Sequence, residues 1–276
     1  MSWLCGLVGE GIAASRSPAM HEREAKNLGE ILVYRVVDTA AWEGTAADLP
    51  VIFQWLKRFN YNGVNVTHPY KQAVIPLLDE LSDAASAIGA VNTVVFRNGK
   101  YIGHNTDWSG YAANFRRTLP DASLERVGQI GAGGAASAVG YALLTLGARE
   151  LKLFDVDRAR ATALAERLQK LFPETRVSAV SRVEDAITGA SGVVQTSPIG
   201  MSTHPGVPFS PDLLSSEQWF SEVIYFPRET ELLAQARAKG CPTVSGVGMA
   251  VFQAADAFEL FTGLRPDRER MLKEFD

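Results

Sequence analysis

A glycine-rich turn between an apolar strand and an apolar helix constrains the fold of this chain more than any other part of the sequence. The predicted strand RVGQI, residues 126–130, runs into GAGGAA, residues 131–136, and small apolar residues continue as a predicted helix to Leu146. A strand that turns directly into a helix begins a βαβ unit, and such units build a mostly parallel sheet with helices on its faces. Residues 126–146 therefore predict an α/β domain.

Predicted strands and helices alternate along the rest of the chain as well. Before the turn we predict strands at 4–8, 32–37 and 63–66, helices at 18–28, 48–59 and 70–78, and a hairpin of 91–96 with 101–103 around Asn98-Gly99. After it we predict the strands ELKLF, TRVSAV, GVVQTS and EVIYF, a helix at 159–171 and a helical segment from Met249 to Phe275. The order indicates two α/β domains, one built from residues 1–106 and 247–276 with the C-terminal helix returning to it, and a Rossmann-like one from residues 107–246.

Composition excludes several classes of function. The 276 residues are 46% hydrophobic and 21% charged, with a net charge of -4, values typical of an ordered globular protein without a basic stripe for nucleic acid. No apolar run reaches the length of a membrane span and the N-terminus lacks a secretion leader, so we expect a cytoplasmic protein. Neither Cys5 and Cys241 nor the four histidines have metal-ligand spacing, which predicts buried thiols and no metal.

The glycine turn has a chemical interpretation. Gly131, Gly133 and Ala136 match the pattern G-x-G-x-x-G/A, in which the backbone approaches a pyrophosphate and the helix N–H groups face its charge. Alone the pattern is weak, because small residues also allow a helix to pack closely on a sheet, and methyltransferases use a similar turn. Asp155 strengthens it, since a carboxylate at the end of the next strand can accept hydrogen bonds from both ribose hydroxyls.

The same carboxylate favours NAD over NADP, because it would repel a 2′-phosphate. Arg158 is the nearby residue that could offset that repulsion. The alternative is that Asp155 or Asp157 caps the following helix, a role that one can fill while the other binds ribose.

Polar residues also end the predicted elements of the first domain. In GVNVTHPYK, Lys71 follows a short strand at a predicted strand-to-helix turn, where α/β proteins bind ligands. Each such residue has a structural alternative: Lys71 as a surface lysine, Ser17 as the N-cap before Pro18, Asn92 as a turn residue and Asp107 as the N-cap of a helix from Trp108.

Taken together, these segments resemble one family. SRSPAMH, GVNVTHPYK, IGAVNT, GHNTD, GAGGAA, SPIGM, EVIYFPRETELL and GVGMAVFQAADAFELFTG occur in the order found in shikimate dehydrogenases, over nearly the whole chain. FDVD and NVTHPYK are most similar to the NAD-dependent quinate/shikimate dehydrogenase branch. Glu222 departs from the family pattern, in which aspartate is usual at this position.

The resemblance implies roles for individual residues. The first domain becomes the substrate-binding and catalytic domain, and the second binds NAD. Lys71 and Asp107 become the catalytic pair, which suits the chemistry, because hydride reduction of a ketone needs a proton donor and a positive charge at the developing alkoxide. The substrate contacts are Ser15, Ser17, Thr67, Asn92, Tyr225 and Gln253. The cofactor contacts are Gly131, Gly133, Gly134, Ala135, Asp155, Arg158, Thr196, Pro198, Met201, Gly246 and Met249.

The implied activity is NAD-dependent interconversion of shikimate and 3-dehydroshikimate, with quinate and 3-dehydroquinate left open as a second pair. One alternative is a relative acting on another cyclic hydroxy acid or on aminoshikimate. The other is a dinucleotide-binding regulatory protein without catalysis, against which the intact Lys71 and Asp107 argue. The expected partner is a small molecule, and the chain is a monomer or a homodimer.

Overall fold

The computed structural model describes residues 2–275. Its strands are β1 Ser2–Gly9, β2 Ile31–Asp38, β3 Gly63–Val66, β4 Glu80–Leu81, β5 Thr93–Arg97, β6 Lys100–His104, β7 Arg126–Ile130, β8 Glu150–Phe154, β9 Arg176–Ala179, β10 Gly192–Gln195, β11 Trp219–Glu222 and β12 Thr243–Val244. Its α-helices are α1 Ser17–Asn27, α2 Leu49–Arg58, α3 Asp83–Ile88, α4 Asp107–Thr118, α5 Gly134–Thr145, α6 Arg158–Leu171, α7 Val183–Ile187, α8 Glu231–Ala238, α9 Gly246–Thr262 and α10 Arg268–Lys273.

The chain divides into two compact units. One contains the residues up to Thr106 together with those from Val251 onward, and the other contains residues 107–250. The second boundary falls inside α9, whereas the sequence placed it between residues 246 and 247. Within residues 2–275, no helix is both long and apolar enough to cross a membrane.

The first unit is built on a mixed sheet with the strand order β2-β1-β3-β5-β6-β4. β1 pairs in parallel with β2 and β3, and the β5–β6 hairpin adds antiparallel strands. Asn98 and Gly99 adopt φ angles of 54° and 78°, as a two-residue hairpin turn requires, so the predicted hairpin is confirmed. Phe258 and Phe261 of α9 pack with Cys5 and Tyr34 in one buried cluster, which returns the C-terminal helix to this sheet as predicted.

The second unit is a parallel sheet with the strand order β9-β8-β7-β10-β11-β12. Numbered within the unit, this order is 3-2-1-4-5-6, the doubly wound arrangement of dinucleotide-binding folds, whose ligands bind at the carboxyl ends of the strands where the order reverses. The reversal lies between β7 and β10. The predicted Rossmann-like fold is therefore confirmed.

The predicted helix over residues 70–78 is wrong. This segment consists of turns and a short 3₁₀-helix, Ile75–Leu77. Pro76 has no N–H to donate to the carbonyl of Gln72, and the carbonyl of Lys71 instead accepts from Val91 N at 2.8 Å. A tertiary hydrogen bond therefore replaces the helical one, and Lys71 lies in a turn between strand and 3₁₀-helix.

The predicted strand EVIYF is displaced. The strand is Trp219–Glu222, and it ends where its parallel neighbour ends, with Gln195 opposite Glu222. The N–H of Val223 still donates to Gln195 O at 3.2 Å, but no strand among residues 2–275 pairs with the chain beyond it. Tyr225 and Phe226 lie in a loop and are 43% and 64% exposed.

Close packing of α7 on the second sheet depends on Gly128 in β7. A Cβ atom at this position would lie 2.3 Å from the carbonyl oxygen of Ala186 and 2.9 Å from its carbonyl carbon. These are backbone atoms, so the clash cannot be relieved by turning a side chain. The absence of a side chain here lets the helix lie against the strand.

Gly128→Ala should therefore destabilise the protein by about 1–3 kcal/mol, because the helix must shift to admit a methyl group. Gly134→Ala is the matched control, since nothing lies within 4 Å of a Cβ atom at that helix start. Urea unfolding of both variants measures the difference. Equal stability of the two would contradict the packing argument.

Candidate functional site

Lys71 is held in the first unit by its own backbone and by its neighbour Tyr70. The side chain of Tyr70 is 1% exposed, and its hydroxyl hydrogen-bonds with that of Thr39 at 2.7 Å. The carbonyl of Lys71 accepts from the N–H of Val91, which directly precedes Asn92. The turn after β3 is thus hydrogen-bonded to the segment just before β5. The backbone of Lys71 is therefore anchored and does not belong to an unattached surface loop.

Asn92 is the centre of a buried polar cluster. Its Oδ1 accepts from Thr106 N at 2.7 Å and from the Thr93 hydroxyl at 3.0 Å. Its Nδ2 donates to Thr106 Oγ1 at 2.9 Å and to Gln253 Oε1 at 3.4 Å. The side chain therefore joins β5, the end of the β5–β6 hairpin and α9, a larger role than the turn residue considered from the sequence.

The two serines before α1 are hydrogen-bonded to each other. The Ser15 hydroxyl donates to Ser17 Oγ at 3.2 Å, and Ser15 Oγ accepts from Ser17 N at 3.2 Å. Ser17 is the first helical residue, so the interpretation of Ser17 as the N-cap is wrong; the cap position is Arg16, whose side chain makes no capping bond. The Ser17 hydroxyl is thus not occupied by helix capping.

Thr67, the remaining substrate residue predicted in this unit, directly follows β3. Its N–H donates to Val8 O at 3.0 Å, which extends the pairing of β3 with β1 by one residue. Its Cγ2 methyl lies against Gly9, where a Cβ atom would come within 2.4 Å. Thr67 is half-buried at the carboxyl end of the strand.

Sequence reasoning missed two residues that extend the Asn92 cluster. Tyr34 donates its hydroxyl proton to Asn65 Oδ1 at 2.7 Å, and Asn65 Nδ2 donates to Thr93 Oγ1 at 2.9 Å. Asn65 is 6% exposed in the otherwise apolar strand GVNV. A buried amide must find partners, so Asn65 was the available signal for this network.

In the second unit, the glycine turn has open backbone where a ligand could approach. Gly131 has φ 105°, and a Cβ atom there would lie 2.8 Å from Ser197 N. At Gly133 and Gly134 a Cβ atom would meet nothing within 4 Å. Ala135 follows in the first turn of α5, whose N-terminal N–H groups lie at this turn. This geometry fits a pyrophosphate.

Asp155 lies beside the glycine turn and does not cap a helix. Its Oδ2 accepts from Ala132 N at 2.6 Å, and its Oδ1 accepts from Asp157 N at 2.8 Å. Asp157 is the cap of α6, accepting from Ala159 N at 3.1 Å. Of the two aspartates, Asp157 is therefore the one that fills the capping role, and Arg158 is exposed as the first residue of α6.

The side chains of the other predicted cofactor residues differ in solvent exposure. Thr196 is 6% exposed and its hydroxyl donates to the carbonyls of Ile130 and Gly131, so it supports the turn. Pro198 is exposed and Met201 is 38% exposed. Gly246 is the first residue of α9, and Met249 is 7% exposed in a core cluster. Pro198 and Met201 present side-chain surface, whereas Thr196 and Met249 face inward.

Asp107 and Tyr225 also belong to the second unit. Asp107 is the first residue of α4 and is 7% exposed. Tyr225 lies in the loop after β11. Cys5 and Cys241 are free and buried, and no group of three His, Cys, Asp or Glu side chains suited to a metal occurs among residues 2–275.

Comparison with known proteins agrees with this architecture. The sequence profile of the shikimate dehydrogenase substrate-binding domain matches residues 7–94, and that of the shikimate 5′-dehydrogenase C-terminal domain matches residues 246–274. A quinate/shikimate dehydrogenase (NAD(+)) of Corynebacterium glutamicum strain R is 47% identical over 277 residues, covering 99% of this chain and 98% of the relative. The chain belongs to the shikimate dehydrogenase family. The family predicted from the ordered motifs is confirmed.

Members of the shikimate dehydrogenase family with either cofactor are similar to this chain. A shikimate dehydrogenase (NADP(+)) of Streptomyces avermitilis is 50% identical over 275 residues, covering 99% of this chain and 94% of the relative. The structure of quinate dehydrogenase from Corynebacterium glutamicum in complex with NAD matches with a TM-score of 0.93 at 47% identity, over 99% of this chain and 98% of that one.

Glu222, the departure from the shikimate dehydrogenase pattern, is a buried carboxyl group at the end of β11. It is 1% exposed, and its Oε2 accepts from the Thr230 hydroxyl at 2.7 Å. Its Oε1 has no hydrogen-bond partner among the residues that the structure describes. Burial raises the pKa of Glu222 from 4.5 to about 7, with the Thr230 hydrogen bond acting in the opposite direction.

The folded protein should therefore bind a proton at Glu222 that the unfolded chain has already released between pH 4.5 and 7. The contribution of Glu222 to stability is highest below this range, falls as the pH rises through it and is constant above it. Glu222→Gln does not titrate, so the stability of the parent protein relative to this variant should fall from pH 4.5 to 7.

Urea unfolding at several pH values measures this difference, with Glu217→Gln at an exposed position as the control. A difference between parent and Glu222→Gln that is constant with pH would mean that Glu222 titrates normally in the folded state.

Proposed function

We propose that this chain is a dehydrogenase that interconverts the secondary alcohol of shikimate, and of quinate, with the corresponding ketone, using a nicotinamide dinucleotide with NAD preferred. The observation that carries the proposal is the attachment of the Lys71 backbone to Val91, beside the buried Asn92 cluster, in a chain of this family. This arrangement supports a polar site next to a cationic proton donor.

Binding of a hydroxylated cyclic acid requires donors for its carboxylate and partners for its ring hydroxyls. We assign the carboxylate to Ser15 and Ser17, whose hydroxyls are adjacent. Thr67, Asn92, Gln253 and Tyr225 are assigned to the ring hydroxyls or the carboxylate. The 3.4 Å bond from Asn92 Nδ2 to Gln253 Oε1 is the one that a substrate hydroxyl would replace, because the other positions of the amide are bonded within the cluster at shorter distances.

Proton transfer is assigned to Lys71, with Asp107 as the group that orients its ammonium. The bound dinucleotide supplies or accepts the hydride. Lys71 gives its proton to the ketone oxygen in reduction and takes a proton from the alcohol in oxidation, while its positive charge stabilises the alkoxide that develops. The hydrogen bonds of Tyr70 and Val91 anchor the turn, and so the backbone from which the Lys71 side chain extends.

The residues of the second unit fit a dinucleotide. Open backbone at Gly133 and Gly134 supports close approach of a pyrophosphate to the start of α5. Each carboxylate oxygen of Asp155 accepts one N–H and keeps acceptor capacity for ribose hydroxyls. Repulsion between Asp155 and a 2′-phosphate is the reason for preferring NAD, and Arg158 is the cation that could oppose it.

Lys71→Ala should lower kcat by roughly 100- to 10,000-fold with little change in NAD binding, because the variant loses the proton donor and its charge. Asp107→Ala should lower kcat by a factor in the same range. The loss of kcat in the double variant should differ greatly from the product of the two single losses. Absorbance of the reduced nicotinamide, with shikimate and with quinate, measures turnover, and the exposed Lys26→Ala is the control. Near-normal turnover in folded Lys71→Ala would remove Lys71 from the mechanism.

The unmodified protein should have a higher kcat/KM with NAD than with NADP. Asp155→Ser with Val156→Arg should move the preference toward NADP, since Val156 is 96% exposed and an arginine there can reach a phosphate without repacking. Asp157→Ser is the matched control, because it removes a neighbouring carboxylate but keeps a helix-capping hydroxyl. A parent protein that already prefers NADP would contradict the role of Asp155.

A further inference from the structure

The side chain of Gln129, in β7, is hydrogen-bonded to both ends of the glycine turn. Its Nε2 lies 3.3 Å from the carbonyl oxygen of Gly131 and 3.0 Å from that of Ala136. A carbonyl only accepts, so the amide nitrogen faces both groups and can give one N–H to each. Gln129 is 0% exposed in the strand RVGQI. This buried amide therefore connects the start of the turn to the first turn of α5.

The peptide group between Gly131 and Ala132 is held at both of its ends. Its carbonyl oxygen accepts from Gln129 and also from the Thr196 hydroxyl, at 3.1 Å. Its N–H donates to Asp155 Oδ2 at 2.6 Å. Thr196 shares its single proton with a second carbonyl at 2.9 Å, whereas Gln129 has one N–H for Gly131 alone. Gln129 and Asp155 thus fix this peptide group from opposite ends.

A fixed peptide group matters in this turn because glycine-rich backbone is otherwise free to rotate. Gly131 has φ 105°, and at Gly133 and Gly134 a Cβ atom would meet nothing within 4 Å. Glycine loses more conformational freedom on ordering than any other residue, so binding of a pyrophosphate to a loose turn would cost entropy. Hydrogen bonds that order the turn before binding reduce this cost.

Stability alone does not explain a glutamine at this position. Gln129 Oε1 has no hydrogen-bond partner among residues 2–275, and a buried carbonyl without a partner destabilises a fold. Methionine, of similar length, would remove that carbonyl. The Gly131 carbonyl would keep Thr196 as its donor, and the Ala136 carbonyl would keep the N–H of Gly140, four residues on in the helix. The amide thus contributes little to stability, which indicates that its N–H groups serve the shape of the turn.

We propose that Gln129 is a positioning residue for the cofactor: by fixing the Gly131–Ala132 peptide group, it orders the glycine turn in the conformation that a dinucleotide pyrophosphate binds. It acts through the backbone of the turn, because a side chain without exposed surface cannot contact a ligand. The inference rests on the proposed function and adds to it a residue that sets the affinity for the cofactor.

Gln129→Met should raise the dissociation constant of NAD by about 5- to 30-fold, the entropy of ordering one further residue on binding. Thermal stability should be unchanged or higher, because the variant removes the unpartnered carbonyl. Isothermal titration calorimetry measures NAD binding, and thermal unfolding without ligand measures stability. In turnover assays the KM for NAD should rise, while the KM for shikimate and kcat at saturating NAD change by less than about 3-fold.

Gln169→Met is the matched control within the same unit. Gln169 Nε2 also donates to two carbonyls, those of Phe172 and Thr175, at 3.3 and 3.0 Å, but these lie in the loop between α6 and β9. Its Oε1 accepts from Val177 N at 2.9 Å. This variant should lower the stability and leave the dissociation constant of NAD unchanged, the reverse of Gln129→Met. A merely structural role of Gln129 predicts the same result for both variants.

Fragments of the cofactor locate the effect. ADP-ribose contains the pyrophosphate and lacks nicotinamide, so Gln129→Met should weaken its binding by the same factor as that of NAD. Adenosine has no phosphate, and its binding should not change. Equal weakening of adenosine would indicate a general disturbance of the unit and would overturn the inference.

Two further variants test the same peptide group if Gln129→Met folds poorly. Gln129→Leu also removes the amide, and Thr196→Val removes the other donor to the Gly131 carbonyl. Each should weaken NAD and ADP-ribose but not adenosine. Unchanged NAD binding in both folded variants would contradict the inference.

Direct binding measurements separate the two proposals. A parent protein that binds neither NAD nor NADP contradicts the proposed function, and the Gln129 inference falls with it. A parent that binds NAD no more tightly than folded Gln129→Met contradicts the Gln129 inference alone.

Discussion

Hydrogen bonding by the buried side chain of Asn92 is the interaction on which the polar site of the first unit depends. Its oxygen and nitrogen are both used, by Thr93, Thr106 and Gln253, and these partners come from β5, from the chain after β6 and from α9. An unsatisfied buried amide costs about 1–3 kcal/mol per group, so these elements are stable together only in the register that satisfies it. The same register sets the backbone to which Lys71 is attached.

In the second unit, side chains hold the glycine turn by hydrogen bonds to its backbone groups. Asp155 accepts the N–H of Ala132 and so ties the end of β8 to the glycine turn after β7. Thr196, after β10, donates to the carbonyls that precede and begin that turn. Parallel strands bring their carboxyl ends to one edge of the sheet. Here the residues that follow β8 and β10 hydrogen-bond to the loop that follows β7. The turn keeps its shape while Gly133 and Gly134 remain open.

Part of the site could be predicted because its signals are local. A strand, a glycine turn and an acid about twenty residues later lie within one βαβ unit, and the alternation of strands and helices predicts its topology. The prediction of a helix at 70–78 was wrong because the N–H of Val91, twenty residues away, binds the carbonyl of Lys71. This bond competes with the helical hydrogen bonds of the segment, which Pro76 already interrupts. The prediction of a strand at EVIYF was displaced because a strand extends only where a neighbouring strand pairs with it, and β10 ends at Gln195.

The sequence by itself determined the two α/β units, the hairpin turn and the family, since each depends on periodicity, turn chemistry or motif order within short segments. Only the tertiary structure decided which aspartate caps α6, that Ser17 does not cap α1, and that Tyr34 and Asn65 belong to the polar cluster around Asn92. The physical reason is that a buried polar atom takes whichever partner the packed fold brings within about 3 Å, and that partner is set by strand pairing between distant segments.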